Sequence, residues 1–164
     1  DRFADEKVKQ MTGYALRVEI LATRGKTDAA RSLAFSTFDD YGTEPMAWKV
    51  LNLKPSPDGQ VASQTIDIVE RAIDLVCGKR DNRRLLCRES KAWMFEQKGQ
   101  PSRAEGIYRR IAEEHGRRNV FIEFLIRNHR CLKLQNVVSS WTAAQKLSKQ
   151  RAKQLVDRCH PHLK

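Results

Sequence analysis

Apolar residues recur at helical spacing along almost the whole chain. Val8, Met11, Ala15, Val18 and Ala22 form a first stripe, with Tyr14 and Leu21 beside it. "RGKTD" interrupts it, and Ala30, Leu33, Ala34, Thr37, Phe38 and Tyr41 then line a second helix that Thr27 or Asp28 can cap and Gly42 closes. So short a break predicts an antiparallel hairpin. Pro45, Pro55, Pro57 and Gly59 then crowd residues 43–60. That stretch reads as an insertion between repeats, with Trp48 and Leu51 anchored in the core and residues 46–53 free to form a short helix or a packed extended segment. Helical spacing resumes at about Val61 with Ile66, Val69, Ile73 and Val76, and continues over 82–98 with Leu85, Leu86, Ala92, Trp93 and Phe95. After "GQPS" it passes through Ala104, Ile107, Tyr108, Ile111 and Ala112 to Gly116. "NVFIEFLIRNHRCLKL" reads as one further helix, and a basic C-terminal helix runs from about 137 to 155. No segment alternates with a period of two, so the pattern predicts an all-α fold, a single helical domain over 1–164.

Two of these hairpins are alike. With Gly25 set on Gly99, an offset of 74 residues, Ala30 falls on Ala104, Leu33 on Ile107 and Gly42 on Gly116. The acid pair Asp39 and Asp40 falls on Glu113 and Glu114, and upstream Ile20 falls on Met94 and Leu21 on Phe95. An alanine at a helix crossing permits the close approach that a larger side chain would prevent. A hairpin with apolar residues on two faces cannot bury both alone, so neighbouring hairpins are expected to stack.

Trp93, Phe95, Glu96, Gly99, Ala104, Ile107 and Tyr108 together resemble a tetratricopeptide-like repeat, closest to the half-a-TPR (HAT) type. The first hairpin matches through Tyr14, Gly25, Ala29, Ala30 and Phe38. The pair "VFIEFLIRNH" and "VVSSWTAAQKL" departs from the pattern because it has neither the turn glycine nor the packing alanine. The resemblance implies hairpins stacked as a short TPR/HAT-like solenoid, with Gly25, Ala30, Leu33, Trp93, Gly99, Ala104, Ile107 and Tyr108 as its packing positions. A compact irregular helical bundle is the alternative. The resemblance further implies a scaffold for protein–protein interaction within a larger assembly, of the kind found in RNA processing.

Charge changes that picture. The chain carries a net charge of +11, yet residues 1–60 are balanced, with nine Lys/Arg against nine Asp/Glu. Residues 61–164 hold 22 Lys/Arg against 11 Asp/Glu. A one-sided basic segment suits an acidic partner, although cations on a helix also serve solubility alone. The candidate binding residues are Arg80, Arg83 and Arg84, then Arg117 and Arg118, then Arg127, Arg130 and Lys133, and finally Lys146, Lys149 and Lys153. Spacings of three and four read as stripes on helix faces. The expected partner is an acidic or extended segment of another protein. RNA bound through the basic faces is the alternative, without the aromatic–basic motif of an RNA-reading domain. No apolar run approaches the roughly 20 residues that cross a membrane.

Candidate chemistry is sparse. No phosphate-cradling glycine loop, HExxH, nucleophile elbow or calcium loop occurs, so no catalytic residue, cofactor or metal is expected. Adjacent acids such as Asp39 and Asp40 do not share a helix face. The terminal "CHPH" (Cys159, His160, His162) reads as a frayed tail rather than a metal site. Cys77, Cys87, Cys131 and Cys159 form no CxxC pair and read as free thiols, which suits a reducing compartment, cytoplasm or nucleus. The chain begins with Asp1 and reads as part of a longer protein.

Overall fold

The computed structural model describes residues 2–78 and 85–159, with side chains from Gln10 onward. Every described element is an α-helix: α1 (Arg2–Thr23), α2 (Thr27–Tyr41), α3 (Glu44–Leu53), α4 (Ser63–Val76), α5 (Leu85–Gln97), α6 (Pro101–Glu114), α7 (Arg118–Arg127), α8 (Cys131–Ala143) and α9 (Lys149–Cys159). They form two compact units, Asp1–Gln100 and Pro101–Lys164. No described helix is long and apolar enough to cross a membrane.

The glycine turns come from local chemistry. At Gly25, in the left-handed region at φ 73°, the amides of Arg24, Gly25 and Lys26 donate to the carbonyls of Ile20, Ala22 and Leu21. At Gly99, φ 67°, the amides of Lys98, Gly99 and Gln100 donate to Met94, Glu96 and Phe95, which are the same positions displaced by 74. Both are helix-ending motifs in which a left-handed residue turns the chain so that orphaned carbonyls find donors. The repeat seen in the sequence is thus also a repeat of backbone hydrogen bonds.

Two further turns of this kind lack glycine. His129 (φ 51°) is flanked by amides of Asn128 and Arg130 that, with its own, donate to Phe124, Leu125 and Ile126. Gln145 (φ 56°) repeats the pattern with Ser140, Trp141 and Thr142 as acceptors. These turns cut the two long helices expected beyond residue 118 into three, α7, α8 and α9. A left-handed conformation costs a residue with a Cβ about 1 kcal/mol, so neither turn shows in a search for glycine. His129 is exposed, and His129→Gly is expected to raise stability by about 0.5 to 1 kcal/mol in urea denaturation. An unchanged or lowered midpoint would show that the turn carries no strain at that residue.

In the first unit each helix packs on the next, and α1, α2 and α3 also touch the helix after that. The core gathers Val18, Ala30, Phe38, Met46, Val50, Leu51, Val69, Ile73 and Trp93. Ala30 and Ala104 are fully buried, as close packing requires, whereas Leu33 and Ile107 are only half-buried. Most of the stretch read as an insertion is α3, which packs against both α2 and α4. Pro45 lies at its first turn, where a missing amide hydrogen costs nothing, and Pro55 and Pro57 fall beyond its end. Leu51 is in the core, while Trp48 lies partly exposed on the core's edge.

The free-thiol expectation is overturned. Cys77 pairs with Cys87 and Cys131 with Cys159, with Cα separations of 5.6 Å and 5.5 Å, and no cysteine is left free. Partners 10 and 28 residues apart are brought together by helix packing, which no spacing rule captures. The reading of a reducing compartment loses its basis, since such bonds persist where conditions are oxidising. Cys159 is committed to its disulfide, and His160 and His162 lie outside the described residues.

Candidate functional site

In the second unit, α6 and α8 both pack on α7, and their long side chains meet over it. Glu105, on α6, is the only charged residue among the buried ones described, with 7% of its side chain exposed. Its Oε1 accepts from Arg109, one turn further along α6, at 3.2 Å, and from the Nζ of Lys133 on α8. Its Oε2 accepts from Arg130, the residue before α8. Burial alone would raise the pKa of this carboxyl. The hydrogen bond from Lys133 and the charges of Lys133, Arg130 and Arg109 outweigh burial and hold it below the ordinary value. Three partly exposed cations thus surround one buried carboxylate.

Beside this cluster lies a groove of about 360 Å³ lined by Arg109, Glu113, Phe121, Lys133, Asn136, Val137, Ser140 and Trp141. Helical spacing explains the lining. Arg109 and Glu113 are one turn apart on α6, and Lys133, Asn136, Val137, Ser140 and Trp141 share one side of α8. Phe121 of α7 is buried beneath, with Trp141 edge-on to it at 6.4 Å. The Arg109 guanidinium lies 6.0 Å from the Phe121 ring centroid, and that of Arg118 lies 5.8 Å from the Trp141 ring. The groove therefore has an aromatic floor, a polar amide and hydroxyl, one acid, Glu113, and two cations fixed by a buried counter-ion.

The candidate residues separate in space. Arg127 ends α7, Arg130 precedes α8 and Lys133 lies in its first turn, so the three straddle the turn at His129 and share no helix face. Arg130 and Lys133 turn inward to Glu105. Arg117 and Arg118 join Lys146 around a second hollow of about 590 Å³ that has no acidic lining residue. Lys149 and Lys153 are exposed one turn apart on α9. Arg80, Arg83 and Arg84 lie outside the described residues. Of the packing positions, Trp93 and Tyr108 are buried, the latter against Phe124 at 4.9 Å. Glu105 was not singled out from the sequence. Its signal was present nonetheless: an acid in a basic region, one turn before an arginine, at a position the helical period turns toward the core.

No three His, Cys, Asp or Glu side chains come together among the described residues in a way that could hold a metal ion. The arrangement can bind anionic and apolar groups side by side. No family model, curated protein or solved structure matches the chain, so these residues are read on their own chemistry.

Proposed function

We propose that the chain is a non-enzymatic scaffold, built as TPR/HAT-like stacked hairpins, that holds an extended acidic segment of another protein within a larger assembly. The observation carrying this reading is the groove between α6 and α8, where surplus cations stand beside an aromatic floor. Acidic side chains of the segment meet Arg109 and Lys133, and an apolar side chain settles between Val137 and Trp141. The turn repeated at Gly25 and Gly99 and the packing of each helix on its successor in the first unit support the stacked-hairpin architecture.

A second reading, RNA held through phosphates, is favoured by one observation. Residues 101–164 carry 14 Lys/Arg against five Asp/Glu, and the hollow at Arg117, Arg118 and Lys146 contains no acid. Fluorescence anisotropy separates the two. A short labelled peptide rich in Asp and Glu around a central Phe is expected to bind at low salt, and Trp141→Ala to weaken it about 30-fold, as loss of a central aromatic anchor does. Single-stranded RNA binding with a steep logarithmic salt slope, and no peptide binding, would instead establish the RNA reading.

A further inference from the structure

The last helix is held to its unit by few groups. Of the eleven residues of α9, only Leu155 and Cys159 are buried. Arg158 forms a two-pronged ion pair with Glu123 of α7, both contacts at 2.9 Å, but its side chain is 49% and that of Glu123 41% exposed. An ion pair so open to water is screened by salt, so even this two-pronged contact weakens as ionic strength rises. The helix also carries Lys149, Arg151, Lys153 and Arg158 against the single acid Asp157, within a unit that is already strongly cationic. At low salt, charge repulsion therefore also acts against its docking. Beyond the single buried anchor Leu155, what ties α9 down is the bond between Cys159, its last residue, and Cys131, the first of α8.

The two disulfides differ in access. Cys77 and Cys87 are 2% and 0% exposed and belong to the core of the first unit. Cys131, the first residue of α8, is only half-buried, and its partner Cys159 is 7% exposed. Thiol–disulfide exchange needs a thiolate to reach a sulfur atom, so access decides which bond opens first.

We propose that Cys131–Cys159 is a redox-sensitive latch on α9, opened by a dithiol reductant while Cys77–Cys87 stays closed. A thiolate of the dithiol attacks one sulfur of the pair, forming a mixed disulfide and releasing the other cysteine as a thiolate, which takes up a proton. The second thiol of the reductant then displaces the remaining cysteine. Two electrons and two protons pass to the pair, and the reductant leaves as a cyclic disulfide. With the latch open, α9 swings off α7 and α8, carrying its cations with it and uncovering the surface it had packed on.

The test is graded reduction of the intact chain with dithiothreitol, trapping with iodoacetamide, peptide mapping and hydrogen exchange. At the lowest effective reductant concentration, Cys131 and Cys159 are expected to be alkylated while Cys77 and Cys87 are not. Amides of α9 are expected to lose protection at least tenfold, with those of Phe121–Leu125 unchanged. The double variant Cys131→Ser/Cys159→Ser is expected to show the same loss without reductant and no further change with it. Labelling of Cys77 and Cys87 first or simultaneously would overturn the proposal. So would α9 amides that remain protected after reduction or in the double variant.

Discussion

Replacing Glu105 by Ala is expected to destabilise the unit at 101–164 by about 3 kcal/mol and lower its melting temperature by about 15 °C. The cost arises because the carboxylate is buried and satisfies Arg109, Arg130 and Lys133 at once. Without it, three cations face each other across the α6–α8 gap. The partners are unequal in exposure, 28% for Arg130 against 47% for Arg109 and 41% for Lys133. Arg109→Ala should therefore cost under about 1 kcal/mol, as for other water-exposed pairs. Urea denaturation of the two variants tests this order, and equal losses would mean that the pairing with Arg109 carries the whole contribution of Glu105. The same residue sets a pH dependence. Its carboxyl titrates below the ordinary value of 4.5 in the folded chain, so the unfolded chain binds the proton more tightly. The contribution is then fully present above that ordinary value and is lost as the pH falls through the lower, folded-state one. Glu105→Gln should remove this acid-sensitive part, so that its stability falls less than that of the natural chain over that interval.

Ala104→Trp is expected to cost about 3 kcal/mol or more, with a fall of about 15 °C in melting temperature. Ala104 is completely buried, so an indole can enter only if the backbone around it moves. Ala30 is its counterpart 74 residues earlier, also at zero exposure, and Ala30→Trp should behave alike. Ala29 matched the same motif, but its side chain is exposed. Ala29→Trp is expected to change stability by no more than about 0.5 kcal/mol. Thermal melts of the three variants separate close packing from helix propensity. A large loss at Ala29, or none at Ala104, would remove the close-packing reason for the alanines.

Much of the fold was legible because it depends on neighbours in sequence. The helical period of apolar residues marked the elements in the first 116 residues except α3, since the prolines around it left a short helix and a packed extended segment equally open. Gly25 and Gly99 announced their turns since only glycine adopts positive φ without strain. The candidate site was far less legible. Arg127, Arg130 and Lys133 have stripe-like spacing, but the stripe presumed an uninterrupted helix, and a histidine at φ 51° breaks it.

The all-helical class, the matching glycine turns, the buried alanines and the cationic excess of the later residues are all local properties of the chain. Each follows from side-chain size, charge or backbone freedom within a few neighbouring positions. Tertiary structure alone decided which cysteines pair, since four cysteines allow three pairings and only distance in space chooses among them. It also decided that Arg130 and Lys133 serve Glu105, because burying one carboxylate across 25 residues demands cations that local pattern would leave in water. The unheralded turns at His129 and Gln145 belong with these, for packing on either side of a turn can outweigh the small cost of a left-handed residue.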